Sequence, residues 1–250
     1  MALEVEFEKQ GNFLFKNRSH IPLIFVFAGF AYIYVYGLNR PVENMYLWIG
    51  ICTLPILLGQ YIRAYAIGFS GNKTSGRNTS AGQVAESINK TGMYSMVRHP
   101  LYLGNYFMWL GTLMFVGSWE FVVMCSFGYW FYYERIMYAE EQFLRGKFGK
   151  EQYDEWSANT PAIFPKFKNF KSSQYNVFDW KDTLRREYLG LCASFFVMSF
   201  YGIFYFSVEN QTLTWSEEVK WMFYGNLGFF LIVRLLSKKT KWLQPLRLEA

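Results

Sequence analysis

Apolar residues in this chain fall into blocks long enough to approach a bilayer's thickness, at 21–38, 46–68, 101–117, 119–133, 188–207 and 219–236. Several reach the ~20 residues that a hydrocarbon core of about 30 Å requires. Each block is therefore expected to be a transmembrane helix, which gives a working count of six. The 119–133 block is short for a span and is expected to continue as helix through Glu134 and Arg135. Only Ser118 or so separates it from the block before, so the two should form a tight helical hairpin. The expectation is an all-α integral membrane protein in three parts: 1–68, holding an N-terminal segment and two helices; 69–165, holding a loop, the hairpin and an amphipathic extension; and 166–250, a basic interfacial stretch followed by two more helices.

Composition agrees with lipid as the solvent. The chain is 52% hydrophobic, 22% aromatic and 18% charged, against roughly 25% charged in soluble domains. Residues 1–20 contain Glu4, Glu6 and Glu8, and no small-residue cleavage pattern follows the first apolar run, so no signal peptide is expected. Cys52, Cys125 and Cys192 lie inside predicted spans at unrelated spacings, as packing residues do.

Charge sets the expected orientation. Apart from Arg40, Arg63 and Lys220, every lysine and arginine lies in the N-terminal segment, in 69–100, in 134–187 or from Arg234 onward. Basic segments stay on the cytoplasmic side, so both termini are expected there. Four of five N-x-S/T triplets, at Asn17, Asn72, Asn78 and Asn89, then face inward, away from glycosylation; the fifth is at Asn210. The net charge of +6 needs no nucleic acid, because the excess follows loops that meet anionic headgroups and the aromatics lie mostly in the spans rather than along a solvent-facing groove.

Polar chemistry is confined to the two long inner segments. The Ser-, Gly-, Asn- and Thr-rich stretch 69–92 reads either as a lid or as a passive connector. After it comes GMYSMVRHPLYLGNY, residues 92–106. Pro100 suits the first turn of a helix, which places Arg98 and His99 at the helix entrance, where free amides attract anions. A snorkelling arginine and a packed histidine are the plainer alternative. The stretch 134–156 carries Arg135, Glu140 and Glu141 beyond the membrane edge. Its carboxylates suit sugar hydroxyls or an ammonium, or form a solvated face. The hairpin brings both clusters to one membrane face.

These residues resemble a known pattern. Arg98-His99-Pro100 with Tyr102 and Gly104, Gly92 and Tyr94 upstream, Glu140-Glu141 about 40 residues on, and FGKEQYDEWSANTPAIFP over 148–165 are together similar to the isoprenylcysteine carboxyl methyltransferase and phospholipid methyltransferase superfamily. The resemblance implies an S-adenosylmethionine-dependent membrane methyltransferase with a cytosolic-face cofactor pocket and no Rossmann domain; 69–165 is then the methyltransferase core. By position, Tyr94, Arg98, His99, Pro100, Tyr102, Leu103, Gly104, Glu140 and Glu141 would line the cofactor, with Arg135 and Glu140 aligning a membrane lipid or lipidated acceptor. The chain departs from the pattern after Pro165, where Lys166, Lys168, Lys171, Arg185 and Arg186 read as an interfacial belt. Two other classes compete: a sterol-type membrane reductase using NADPH, and a transporter or scaffold hinted at by Pro55, Gln60 and Arg63 in the second span.

Overall fold

The computed structural model describes residues 2–70, 87–172 and 178–244. Most of the 69–92 stretch, with its lid-or-connector alternatives, lies outside the described residues. Those described are helical, without a strand: α1 (Leu3–Lys16), α2 (Leu23–Tyr36), α3 (Met45–Gly68), α4 (Met93–Met96), α5 (Pro100–Met114), α6 (Trp119–Phe148), α7 (Lys150–Asn159), α8 (Trp180–Asn210) and α9 (Glu217–Lys239), with a 3₁₀ turn at Phe167–Asn169. Among them α3, α8 and α9 are long and apolar enough to cross a membrane, and α2 is a shorter apolar helix. Helix α6 continues past Glu134 and Arg135 for 30 residues in all, because good helix formers follow the apolar block without a Pro or Gly until Gly146. Pro55 lies within an unbroken α3.

The chain divides into two compact units of discontinuous segments. One comprises Ile24–Ala64, Gly104–Ser126 and Asp179–Ala250. Its core joins Val26, Ile33, Trp48, Cys52, Ile56, Phe115, Phe121, Cys125, Met198 and Tyr201. The two polar atoms this core cannot leave bare are matched to backbone: Trp48 Nε1 donates to the Phe115 carbonyl at 3.2 Å and the Tyr201 hydroxyl to the Val26 carbonyl at 3.0 Å. Helix α8 starts on Asp179, whose side chain accepts the Asp182 amide; α9 starts on Ser216, with Glu217 and Glu218 in its first turn and Lys238 and Lys239 in its last, each sign at the helix end it stabilises. Leu54, Leu57, Leu58 and Tyr61 on α3 and Trp221, Ile232 and Leu235 on α9 remain exposed, an arrangement that lipid tolerates and water does not.

Arg63 in this unit is fully engaged within the protein. Its Nε and Nη2 grip the Glu187 carboxylate at 2.5 and 2.9 Å, and Nη1 donates to Asn105 Oδ1 at 2.6 Å. The fork thus fastens α3 to α5 and α8. Gly104 of α5 makes room for it, since a side chain there would meet the Arg63 stem at 2.5 Å.

The other unit comprises Met1–Leu23, Tyr65–Leu103 and Phe127–Phe178. Here α1 lies against α6 so closely that any Cβ at Gly11 would overlap the Arg135 carbonyl. The Arg135 guanidinium stacks on Phe7 at 3.5 Å, and the Tyr132 hydroxyl donates to the Leu14 carbonyl at 3.3 Å. Two positive-φ glycines set the turns: Gly92 (φ 59°) precedes α4 and Gly149 (φ 91°) separates α6 from α7, both conformations that a side chain resists.

Candidate active site

Val97 is extended between α4 and α5, and this break lets the chain turn so that Arg98 and His99 precede the first helical residue, Pro100. The sequence leads one to expect free amides there. Instead the Arg98 and His99 amides donate to the Pro161 and Ala162 carbonyls at 2.8 and 3.1 Å, and the Lys166 amide donates to the Met96 carbonyl at 3.0 Å. The TPAIFP segment therefore consumes the donors that anion binding would need.

The Arg98 side chain is similarly engaged. Its Nε donates to Glu141 Oε1 at 2.8 Å, and Nη1 reaches the Ser157 and Thr160 carbonyls at 3.0 and 2.8 Å, capping the end of α7. It holds the site's frame rather than presenting an open fork to a ligand. His99, only 6% exposed, places Nε2 2.9 Å from Glu141 Oε1, and Nδ1 faces Glu140 Oε2 at 3.6 Å, a charge contact longer than a hydrogen bond. A neutral imidazole offers one donor; only the imidazolium serves two carboxylates. Burial, the largest single influence, lowers the His99 pKa, but the two glutamates together outweigh it and hold it above the usual 6.5. Burial likewise pushes Glu141 up, yet His99 and Arg98 outweigh it and hold the carboxyl below 4.5.

Tyr94, Arg98, His99, Glu140, Leu144, Tyr153 and Trp156 wall a cavity of about 40 Å³, with Ser87, Ile88 and Asn89 on its rim. Two buried donors here lack hydrogen-bond partners among the described residues, the Tyr153 hydroxyl and Trp156 Nε1. The hydroxyl lies near Glu141 without reaching hydrogen-bond geometry, and burial followed by that charge raises its pKa, so it remains a neutral donor. Unpaired donors, an acidic wall and the Tyr94 and Trp156 rings are what a polar, partly cationic organic ligand needs. The volume suits a few waters, so a nucleoside-sized ligand must part these side chains.

The remaining expected residues divide. Pro100 and Leu103 are buried packing residues; the Tyr102 ring stacks on His99 at 5.6 Å, and its carbonyl accepts from Tyr129 at 2.8 Å, which steadies the imidazole. Gly104 belongs to the other unit and serves Arg63. Arg135 does not line the cavity: its bonds go to Gln10 and Glu134 and its face to Phe7, because on α6 it points toward α1. Tyr153 and Trp156 escaped the sequence reading although FGxxxY contains the first, and their i, i+3 spacing on α7 was the available signal.

The described residues thus define a helical integral membrane protein in which Arg98 and His99 pair directly with Glu140 and Glu141 beside a small cavity. Residues 47–151 match the phospholipid methyltransferase family. Similar proteins include the protein-S-isoprenylcysteine O-methyltransferase of Schizosaccharomyces pombe, 31% identical over 44% of this chain and 46% of the relative, and that of Saccharomyces cerevisiae, 30% identical over 40% and 44%. The nickel-cobalt-cadmium resistance protein NccN of Alcaligenes xylosoxydans xylosoxydans is 28% identical over 37% and 42%. The chain spans less than half the length of these relatives. No solved structure matches it.

Proposed function

We propose that this protein is a membrane-embedded methyltransferase that moves a methyl group from S-adenosylmethionine to a lipid or lipid-anchored acceptor, with six membrane crossings and both termini cytoplasmic. The observation that carries the reading is the junction of His99 with Glu140 and Glu141 beside two unpartnered donors, all of it in or next to the family-matched segment. S-adenosylmethionine, when bound, supplies a methyl group activated on a cationic sulfur.

The chain's part is placement and shielding. Tyr153 and Trp156 offer donors to the ligand's carboxylate or nucleoside acceptors, Glu140 accepts from its hydroxyls or ammonium, and the Tyr94 and Trp156 faces suit the cation. Arg98 and Glu141 hold this wall, and Tyr102 holds His99. Methyl transfer depends chiefly on bringing acceptor and methyl carbon to ~3–3.5 Å in a dry pocket. This division of roles leaves Arg135 and Gly104 to scaffolding. The reductase alternative lacks support at this cavity, whose cations, Arg98 and His99, already face glutamates, so among the described lining residues a 2′-phosphate finds no unshared charge.

Calorimetric titration of the detergent-purified chain tests the donor, and incubation with methyl-labelled S-adenosylmethionine and total membrane lipid tests the acceptor. Saturable binding is expected in the wild type and not in folded His99→Ala or Glu141→Ala. A folded wild type that ignores S-adenosylmethionine but binds NADPH would overturn the proposal.

A further inference from the structure

Trp156 walls a second cavity as well, of about 520 Å³, lined by Lys90, Ser95, Glu155, Asn159, Lys168 and Lys171 among others. Three lysines meet a single carboxylate there, and none of the three has an ion pair among the described residues. The hollow is built rather than incidental. The Gly92 amide donates to the Lys171 carbonyl and the Lys171 amide to Ser95 Oγ, both at 2.9 Å, while Asn169 Nδ2 donates to the Asn159 carbonyl at 2.6 Å. These bonds hold the Lys168–Lys171 stretch against α4 and α7.

Residues 164–170, leading into this stretch, display three aromatics at intervals of three: Phe164, Phe167 and Phe170 are 85%, 76% and 50% exposed. Large apolar rings left bare beside lysines are unfavourable in water and suited to a membrane interface. Arg185 and Arg186, the other expected members of the basic belt, are by contrast turned onto Asp182 at 2.6 and 3.3 Å. We infer that the hollow of Lys90, Lys168 and Lys171 docks the phosphate of an anionic phospholipid, with Phe164, Phe167 and Phe170 set among its acyl chains. Charge complementarity selects the phosphate, and the exposed rings select a lipid over a free anion. The site is separate from the methyl-transfer cavity and does not depend on that reaction.

The test uses the full chain in a neutral detergent with three probes: dioctanoyl phosphatidylglycerol, dioctanoyl phosphatidylcholine and inorganic phosphate, with binding followed by thermophoresis. The anionic lipid is expected to bind at least tenfold more tightly than the zwitterionic one. Near-surface lysines contribute roughly fivefold each, so Lys90→Gln/Lys168→Gln/Lys171→Gln should weaken it on the order of a hundredfold, with melting temperature and S-adenosylmethionine affinity unchanged. Should the triple variant melt early, Lys168→Gln alone, at an exposed position, is expected to show the fivefold loss. Phe167→Ser/Phe170→Ser should also lose lipid. Equal binding by the triple variant, or displacement of the lipid by millimolar inorganic phosphate, would overturn the inference.

Discussion

His99 Nε2 and Arg98 Nε converge on one oxygen of Glu141, Oε1, at 2.9 and 2.8 Å. A single carboxylate on α6 thus serves two consecutive residues ahead of α5, and through Arg98 also the last carbonyls of α7. The cluster ties the two clusters read from the sequence to a third element, α7, that its motif only hinted at.

Removing that carboxylate should loosen all three elements. Glu141→Ala leaves two cations without their partner; a fully buried broken pair costs ~3–5 kcal/mol, and the partial exposure here lowers the expectation to about 2–3 kcal/mol, a drop of several degrees in melting temperature in detergent. Glu141→Gln, which still accepts from Arg98, should lose less.

The cluster should be most stable in a window between the ordinary carboxyl and imidazole values. Glu141, held below 4.5, contributes fully above that value and loses its contribution as pH falls through its depressed pKa. His99, held above 6.5, contributes fully below that value and loses its contribution as pH rises through its raised pKa. Melting temperature plotted against pH should therefore sag on both sides in the wild type, and lose its alkaline limb in His99→Gln. With only two histidines in the chain, imidazole resonances in a His20→Gln background read the His99 titration directly; a midpoint at or below 6.5 would contradict it.

Arg63→Ala should rank among the most destabilising single changes. It strands Glu187, 4% exposed, and costs about 3–5 kcal/mol in helix unfolding. Lysine should not rescue the site, because it lacks the two-pronged grip. Arg63→Met/Glu187→Leu should recover most of the loss, and no recovery would mean that packing of the long side chain, not charge, holds the helices.

Gly11→Ala should release α1. The added methyl overlaps the Arg135 carbonyl and lies 2.6 Å from the Ala139 Cβ, a strain of about 1–3 kcal/mol. Limited proteolysis should then cut the first 20 residues faster. Gly146→Ala, with nothing within 4 Å, is the control and should be neutral or slightly stabilising.

Tyr153→Phe separates binding from folding. Its hydroxyl is buried without a hydrogen bond among the described residues, so deleting it should leave melting temperature level or slightly higher. If the hydroxyl meets S-adenosylmethionine, the same change should weaken binding roughly three- to tenfold by calorimetry; unchanged affinity would remove Tyr153 from the proposed pocket.

Much of this was legible in the sequence. Length and apolarity alone mark α3, α8 and α9, and the uninterrupted helix formers after residue 133 foretell the long α6. The short turn after α5 makes the encounter of Arg98 and His99 with Glu140 and Glu141 a matter of counting residues. Less legible was what each polar group does once there. The family resemblance implies an acceptor-aligning role for Arg135, but a helix has several sides, and α1 claimed that one.

What the sequence determined by itself was where the chain must be helical, because a backbone in lipid has to satisfy its own hydrogen bonds within each apolar block. What only the tertiary structure decided was who partners whom: Arg63 with a residue 124 positions away, Arg98 with carbonyls 59 and 62 positions away, and the Tyr153 hydroxyl and Trp156 Nε1 with no hydrogen-bond partner among the described residues. Hydrogen bonds and ion pairs act over a few ångströms and are blind to separation along the chain, so only the packed fold assigns them.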